Sequence, residues 1–175
     1  MTSRQQGFTL LELMIVLAIS AILLTVGVPS FQAMIKNNRI TTATNSFVSQ
    51  LNYARSEAIR LNWAVNLQRK GGTPRVWSNG WTIYRDSRAK NDGGTAFVAA
   101  EDQQLRDRDA FDGDLEIRSV NSASMHIAFR PNGMLSHTST MTFAVCDDRG
   151  KDHGRMISLS RTGRVSTGPA TTCTP

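Results

Sequence analysis

Glu12 is the one ionisable residue in an apolar run that extends from Phe8 to Val28. At 1.5 Å per residue, a helix of this run would be about 31 Å long, enough to cross the hydrocarbon core of a bilayer. A carboxylate in such a segment is costly, and it therefore marks a functional site by default. Because a buried charge is tolerated when it is paired, the chemistry that Glu12 offers is ion pairing with an amine.

A short polar leader with a single cation, Arg4, precedes the apolar run and ends at Gly7. An ordinary secretory signal has an apolar core of about 7–15 residues followed by a small-x-small cleavage site. Here the plausible cleavage point, between Gly7 and Phe8, lies before the apolar run. Cleavage would therefore leave the hydrophobic helix on the mature chain. The alternative is a plain signal anchor in which the acid is incidental.

The segment GFTLLELMIVLAISAILLTVGVPSF resembles the N-terminal signature of class III, type IV pilin-like prepilins. This resemblance implies that a prepilin peptidase cleaves after Gly7 and methylates the new amino terminus at Phe8. It also implies a helix kink at Pro29 and a role for Glu12 in filament assembly. In a filament, Glu12 would pair with the amine of a neighbouring subunit's Phe8, so a subunit inserted out of register would leave a buried charge unpaired.

The rest of the chain has the composition of one basic domain. About 140 residues follow the anchor, enough for one hydrophobic core. The chain has 20 Lys and Arg against 14 Asp and Glu, a net charge of +6, and loss of Arg4 leaves 19 minus 14, or +5. This charge permits contact with polyanions such as DNA or anionic lipid but does not require it.

Cys146 and Cys173 are the cysteines of the chain, and both follow the apolar segment. If the domain lies on the outer, oxidising side of a membrane, the pair predicts one disulfide. The bond would close a loop of about 27 residues and stabilise the fold by about 3 kcal/mol on a chain-entropy estimate. Metal binding is the weaker alternative, because there is no Cys-x-x-Cys motif and the histidines are scattered, at His126, His137 and His153.

The helical pattern continues beyond Pro29. Apolar residues recur at a spacing close to three and four, at Phe31, Ile35, Ile40, Phe47, Leu51, Ala54, Ala58 and Leu61. Pro29 is therefore interpreted as a kink and not as a helix end. The predicted divisions are a leader over 1–7, a transmembrane or filament-core helix over 8–28, an amphipathic continuation over 29–62, and a β-rich domain over 63–175.

After Asn62 the chain changes to short period-two segments separated by Gly, Pro, Asn or Asp. This pattern predicts strands over 64–68, 80–85, 115–120, 124–130, 141–146 and 156–160. The sequence Arg-Pro-Asn-Gly at 130–133 predicts a tight turn that joins two of them. The charged stretch 86–114 predicts a long exposed loop with a short strand around Phe97. The predicted fold class is α+β, a long N-terminal helix packed on an antiparallel β-sheet domain.

Three later segments resemble minor pilins and pseudopilins of the GspH/FimT type. They are Ala-Arg-Ser-Glu-Ala-Ile at 54–59, Phe-Arg-Pro-Asn-Gly at 129–133 and Ile-Ser-Leu-Ser-Arg-Thr-Gly-Arg-Val at 157–165. In a packing interpretation of the first segment, Ala54 and Ala58 face the sheet while Arg55 and Glu57 are solvated. The resemblance implies three sets of partners, namely other major and minor pilins, the prepilin peptidase and the inner-membrane assembly platform.

The resemblance leaves three functions open. The first is a minor pilin that helps to prime assembly of a type IV pilus, near its tip. The second is a DNA-binding minor pilin for DNA uptake in natural transformation, and the third is a minor pseudopilin of a type II secretion system. Each implies an inner-membrane, single-pass chain with a periplasmic C-terminal domain, and the pilus functions then place it at the cell surface. Pilus assembly is predicted first.

DNA-binding members of the family carry a C-terminal Gly-Arg-x-Arg motif, and the matching segment here is Gly-Arg-Val-Ser at 163–166. Ser166 therefore stands where these members have their second arginine. A basic patch that contacts phosphates could still form from Lys151, Arg155, Arg161 and Arg164. The alternative is an ordinary strand-end turn with a solvated arginine at Arg164.

Catalytic signatures are weak. Ser, His and Asp are present, but no nucleophile elbow, phosphate loop or metal-spacing motif accompanies them. The acidic segment 147–152 lacks the alternate spacing of a calcium loop and predicts a charged hairpin tip. We predict that the chain is not an enzyme, has no catalytic residue and requires neither a metal nor a cofactor.

Overall fold

The computed structural model describes residues 7–173, so residues 1–6 of the predicted leader lie outside the described range. Within that range the chain forms α1 (Leu10–Leu61), β1 (Val65–Arg69), β2 (Trp81–Arg85), β3 (Gln103–Arg108), β4 (Glu116–Ser119), β5 (His126–Phe129), β6 (Met141–Cys146), β7 (Arg155–Leu159) and β8 (Val165–Pro169), with a 3-10 turn at Lys151–His153. The strands form two four-stranded antiparallel sheets, ordered β3-β2-β1-β5 and β4-β6-β7-β8. The α+β class is confirmed.

The chain divides into two compact units between Asn38 and Arg39. The first unit holds the N-terminal part of α1. The second unit holds the rest of α1 and both sheets, and it has its own hydrophobic core.

The core of the second unit forms around one face of α1. The buried helix residues recur at three- and four-residue intervals, at Ile40, Ala43, Thr44, Phe47, Leu51, Ala54 and Ala58. The ring of Phe47 lies 5.0 Å from Trp81 in one sheet and 5.1 Å from Phe143 in the other, in edge-to-face contacts. Helix periodicity therefore builds the core by placing a single stripe against both sheets.

Two strands were absent from the sequence prediction. β3 reads QQLRDR, which is polar on both faces because the strand is an exposed edge, so it shows no alternation. The predicted strand around Phe97 is wrong, since that residue lies in irregular chain. β8 was not predicted as a strand, but it pairs with β7 over its whole length.

The turn at 130–133 forms, with Gly133 N donating to Arg130 O at 2.8 Å. It lies between β5 and β6, the two predicted strands on either side of it. The chain returns along β5 only through an isolated bridge at Leu135, and the next strand, β6, belongs to the other sheet.

The loop after β2 is anchored instead of being exposed throughout. Its first residue, Asp86, is 0% exposed and accepts hydrogen bonds from Asn66 Nδ2 (2.8 Å), Arg88 N (3.1 Å), Ala89 N (3.1 Å) and both the amide and the hydroxyl of Thr95. A single buried carboxylate thus organises the start of the loop on the surface of β1.

Candidate functional site

The N-terminal signature forms the start of α1. Gly7 and Phe8 precede the helix, and the Phe8 side chain is 84% exposed. Thr9 caps the helix, because its Oγ1 accepts from Glu12 N at 3.2 Å and its carbonyl accepts from Leu13 N at 3.2 Å. Glu12 therefore lies in the first turn, where the helix dipole favours a carboxylate.

The Thr9 cap was missed from the sequence. The signal for it was present, since Thr9 and Glu12 have the three-residue spacing of a capping box. In the structure the Thr9 half of that motif is formed, so the backbone at Glu12 is fixed by a local contact.

The apolar half of α1 is exposed in the part of the chain that the structure describes. The helix contains a window long and apolar enough to cross a membrane, and none of that window is buried. Its large side chains from Leu10 to Ile35 are exposed. Pro29 lies inside the helix, which continues beyond it, so the interpretation that this proline does not end the helix is confirmed.

Cys146 and Cys173 form a disulfide, as predicted, with their Cα atoms 5.9 Å apart. Cys146 is the last residue of β6, in the centre of the second sheet's strand order, and Cys173 follows β8. The bond therefore crosses β7 at the end of the sheet and holds the segment after β8 in place.

The predicted basic residues lie towards the two ends of one strand, β7. Lys151 lies in the hairpin loop that precedes β7 and Arg155 is the first residue of β7, whereas Arg161 and Arg164 lie in the turn that follows β7. Because β7 runs from Arg155 to Leu159, Arg155 and the turn that holds Arg161 and Arg164 lie at opposite ends of a strand that is about 13 Å long at 3.3 Å per residue. All four side chains are exposed, and their contact with DNA stays a prediction.

The three distal motifs meet at one place, which we call the turn junction: Arg55, Gly133 and Gly163. Arg55 is half-buried and its Nε donates to the Gly133 carbonyl at 3.0 Å. A β-carbon on Gly163, whose φ is +77°, would lie 2.2 Å from the same carbonyl and 2.8 Å from Arg55 Nε. Only glycine fits at position 163. Because Arg55 is half-buried and bonded to the Gly133 carbonyl, the prediction that its side chain is solvated is wrong.

The residues flanking Arg55 in its segment have packing roles. Ala54 and Ala58 are 0% exposed, as predicted. Glu57 forms an ion pair with Arg60 at 2.5 Å, and its side chain is only 13% exposed, so it too is less solvated than predicted.

The acidic segment 147–152 is the loop of the β6–β7 hairpin, as predicted. Asp147 forms an ion pair with Arg149 at 2.7 Å, which provides a cation from within the loop. Among residues 7–173, no group of three or more His, Cys, Asp or Glu side chains is arranged to hold a metal ion.

Two family models match the chain. One, described as type II transport protein GspH, matches residues 43–163, and the other, described as the prokaryotic N-terminal methylation motif, matches residues 2–28. The chain belongs to the GspH family. The methylation motif and the fold identify it further as a class III prepilin-like minor pilin or pseudopilin.

Solved structures of the type IV minor pilin FimU from Pseudomonas aeruginosa PAO1 share this architecture. In two crystal forms FimU is 28% identical to this chain, with TM-scores of 0.61 and 0.62. The matches cover 77% and 81% of this chain and 99% of FimU in each form.

One curated relative matches over the N-terminal region only. Prepilin peptidase-dependent protein D of Escherichia coli K12 is 42% identical over 45 residues, which is 26% of this chain and 31% of that protein. The match therefore spans about a third of the relative's length.

The GspH match contains the whole turn junction. The three distal motifs that resemble this family in sequence therefore pack against one another at one place in the domain. Cleavage after Gly7, methylation of Phe8 and the assembly role of Glu12 stay predictions, because they concern processing and neighbouring subunits.

Proposed function

We propose that this chain is a minor pilin of a type IV pilus that takes part in priming pilus assembly near the tip. The observation that carries the proposal is the apolar half of α1, which has no buried residue in its membrane-length window. Such a surface requires either lipid or other apolar helices around it. Before assembly, lipid surrounds the helix as a single-pass anchor in the inner membrane. After assembly, the apolar helices of other subunits surround it in the filament core.

Processing precedes assembly in this proposal. The prepilin peptidase removes residues 1–7 and methylates Phe8, and the exposed, non-helical backbone at Gly7 and Phe8 is suited to entry into a peptidase site. The assembly platform in the inner membrane then transfers the chain into contact with major and other minor pilins. Glu12 pairs with the amine of a neighbouring subunit's Phe8.

Substitution of Glu12 tests the proposal. Glu12→Val removes the carboxylate, so we expect normal leader cleavage but little incorporation into sheared pili. Glu12→Asp retains the charge and serves as one control. Thr25→Val is a second, because Thr25 is an exposed polar residue of the same apolar segment and its hydroxyl donates to Ile22 O within the helix. Immunoblots of whole cells and of pili separate cleavage from incorporation, and normal incorporation of Glu12→Val would refute this role.

DNA binding is the second candidate function. Arg161 and Arg164 are exposed in the β7–β8 turn and form no ion pair with any residue of the described range 7–173. Ser166 argues against DNA binding, because DNA-binding members of the family have an arginine at this position. A mobility-shift assay with the full chain in detergent micelles tests the idea. Replacement of both arginines by glutamine should reduce the dependence of log K on log salt by about two units at most, and no shift at low salt removes the candidate.

The family description favours a third candidate, a minor pseudopilin of type II secretion. Deletion of the gene, followed by parallel measurements of surface pili, transformation and protein secretion, separates the three. Loss of secretion with normal pili would contradict the pilus proposal.

We also propose that the chain is not an enzyme. Its buried carboxylates are engaged in structural hydrogen bonds, as Asp86 shows, and Asp102 accepts from Ser87 N and Val98 N at 2.9 Å each. Turnover of any substrate by the purified chain would contradict this.

A further inference from the structure

Within residues 7–173, the four outer edges of the two sheets differ in how far they are protected from pairing with a further strand. The chain itself covers two of them. Trp77 N donates to Ile117 O of β4 at 2.7 Å, and Ser136 N donates to Ala128 O of β5 at 2.9 Å. The outward backbone groups of β4 and β5 are therefore partly satisfied by neighbouring segments.

The third edge, β3, carries charges of both signs. Arg106, Asp107 and Arg108 follow one another along the strand, and the register with β2 shifts between Ile83 and Tyr84. Mixed charges and irregular pairing are the usual means by which proteins prevent strand addition at an exposed edge.

The fourth edge, β8, has neither form of protection. Its sequence, Val-Ser-Thr-Gly-Pro, contains no charge, and within residues 7–173 its one ladder partner is β7. Ser160 N donates to Arg164 O at 2.9 Å and Ala170 N donates to Gly154 O at 3.2 Å, which sets the bonded pairs at the two ends of this ladder. Because bonded pairs alternate along an antiparallel ladder, every second residue of β8 directs its backbone groups outwards.

The outward-directed residues are Val165, Thr167 and Pro169. Pro169 has no amide hydrogen, so it limits pairing only at one end of the strand. Val165 and Thr167 each present an amide and a carbonyl, and no hydrogen bond to these groups from within residues 7–173 is present. The edge can therefore accept a further strand.

The charge around this edge specifies what that strand should carry. Residues 151–175, which include the 3-10 turn in contact with β8, contain one lysine, three arginines and one carboxylate side chain, that of Asp152, so cations predominate around the edge. Arg155 lies opposite Pro169 at one end of the β7–β8 ribbon, and Arg161 and Arg164 lie at the other. All three are exposed, and none forms an ion pair within the described range.

We propose that β8 is a docking edge for an extended, acidic segment of a partner protein, which adds to the sheet as a further strand. Backbone bonds to Val165 and Thr167 set the register of the added segment, and the arginines at the two ends of the ribbon pair with its carboxylates. This inference goes beyond the proposed function, because it holds for whichever filament contains the chain.

A defined peptide tests the proposal with the full chain in nonionic detergent micelles. The probe is a short, capped, fluorescent peptide of alternating valine and glutamate, and its control has lysine in place of glutamate. Anisotropy measures binding, and amide hydrogen exchange locates it. We expect only the acidic peptide to bind, and the amides of Val165 and Thr167 to exchange at least about tenfold more slowly in its presence.

Thr167→Pro is the matched substitution. It removes one outward amide but no bond to β7, so the fold is retained while binding of the acidic peptide falls at least about tenfold. Thr167→Val keeps the amide and serves as the control. A peptide methylated on its backbone nitrogens tests the same bonds from the other side without altering the protein.

Four results would overturn the proposal: equal binding of both peptides, unchanged binding to Thr167→Pro, protection elsewhere than on β8, or displacement of the peptide by a short DNA duplex. Protection of the same amides that increases with protein concentration in the absence of peptide would assign the edge to a second copy of the chain, and that also overturns it.

Discussion

Replacement of Asp86 by asparagine isolates the buried carboxylate that anchors the loop after β2. The substitution preserves shape but turns one carboxylate oxygen into an NH2 group. Asn66 Nδ2 and Thr95 N, which donate to Oδ2 at 2.8 and 3.1 Å, would then face a donor. Two buried donors without an acceptor cost about 1–3 kcal/mol each, so Asp86→Asn should lower the free energy of unfolding by about 2–6 kcal/mol.

Asp92→Asn is the matched control, because Asp92 lies in the same loop and its side chain is 72% exposed. Its ion pair with Arg130 is a surface contact, so its loss should cost at most about 1 kcal/mol. Urea unfolding of the full chain in micelles measures both variants, with the buried rings of Trp77 and Trp81 as fluorescent reporters. Equal losses for the two variants would refute the reasoning.

The dependence of stability on pH provides a second measurement on Asp86. Burial alone favours its protonated form, but the hydrogen bonds from Thr95, Asn66 and Arg88 outweigh burial, so the pKa of this carboxyl lies below its ordinary value in the folded protein. Its contribution to stability is thus complete above the unfolded pKa of about 4 and is lost as the pH falls through the folded pKa. The difference in the free energy of unfolding between wild type and Asp86→Asn should therefore decrease as the pH falls from about 4 through the folded pKa.

Three further predictions concern the fold. Gly163→Ala should destabilise the domain more than Gly150→Ala, since both have a positive φ, with a strain of about 1 kcal/mol, but only the first has atoms within 4 Å of the new methyl group; thermal unfolding compares them. Cys146→Ser should cost about 3 kcal/mol in urea, and a reducing agent should affect wild type alone. Burial lowers the pKa of His126 and His137, so stability should fall as the pH drops below about 6.5, and less steeply when both are replaced by glutamine.

Local signals in the sequence predicted the parts of the fold that local physics determines. The helical stripe that includes Phe47 follows from a 3.6-residue period, and β6 was predicted at its observed bounds because its residues are mostly apolar and include β-branched and aromatic ones. β3 was missed because an exposed edge strand needs no apolar face, and its charges suggested a loop. The two-sheet architecture depends on burial of one face of α1 against both sheets, which the strand pattern in the sequence does not show.

In the candidate site, too, local sequence predicted some residues, while the positions of others depend on contacts between distant parts of the chain. The N-terminal signature is contiguous, so Gly7, Phe8 and Glu12 could be recognised without a structure. The position of Arg55 could not, because its partner is 78 residues away in the sequence and a long polar side chain on a helix is ordinarily solvated. Likewise, the distance between Arg155 and Arg161 depends on the length of β7, which the sequence predicts only approximately.

The turn junction has a consequence for the order of folding. Its helix residue and the carbonyl it bonds are 78 residues apart in the chain, and the second turn follows later still. Contacts of such long range are unfavourable in chain entropy until the segments between them are already ordered. The junction should therefore form on the native side of the folding barrier, so that Arg55→Lys accelerates unfolding while it leaves the folding rate nearly unchanged. By this reasoning, the junction that connects the three distal motifs determines how long the folded domain persists.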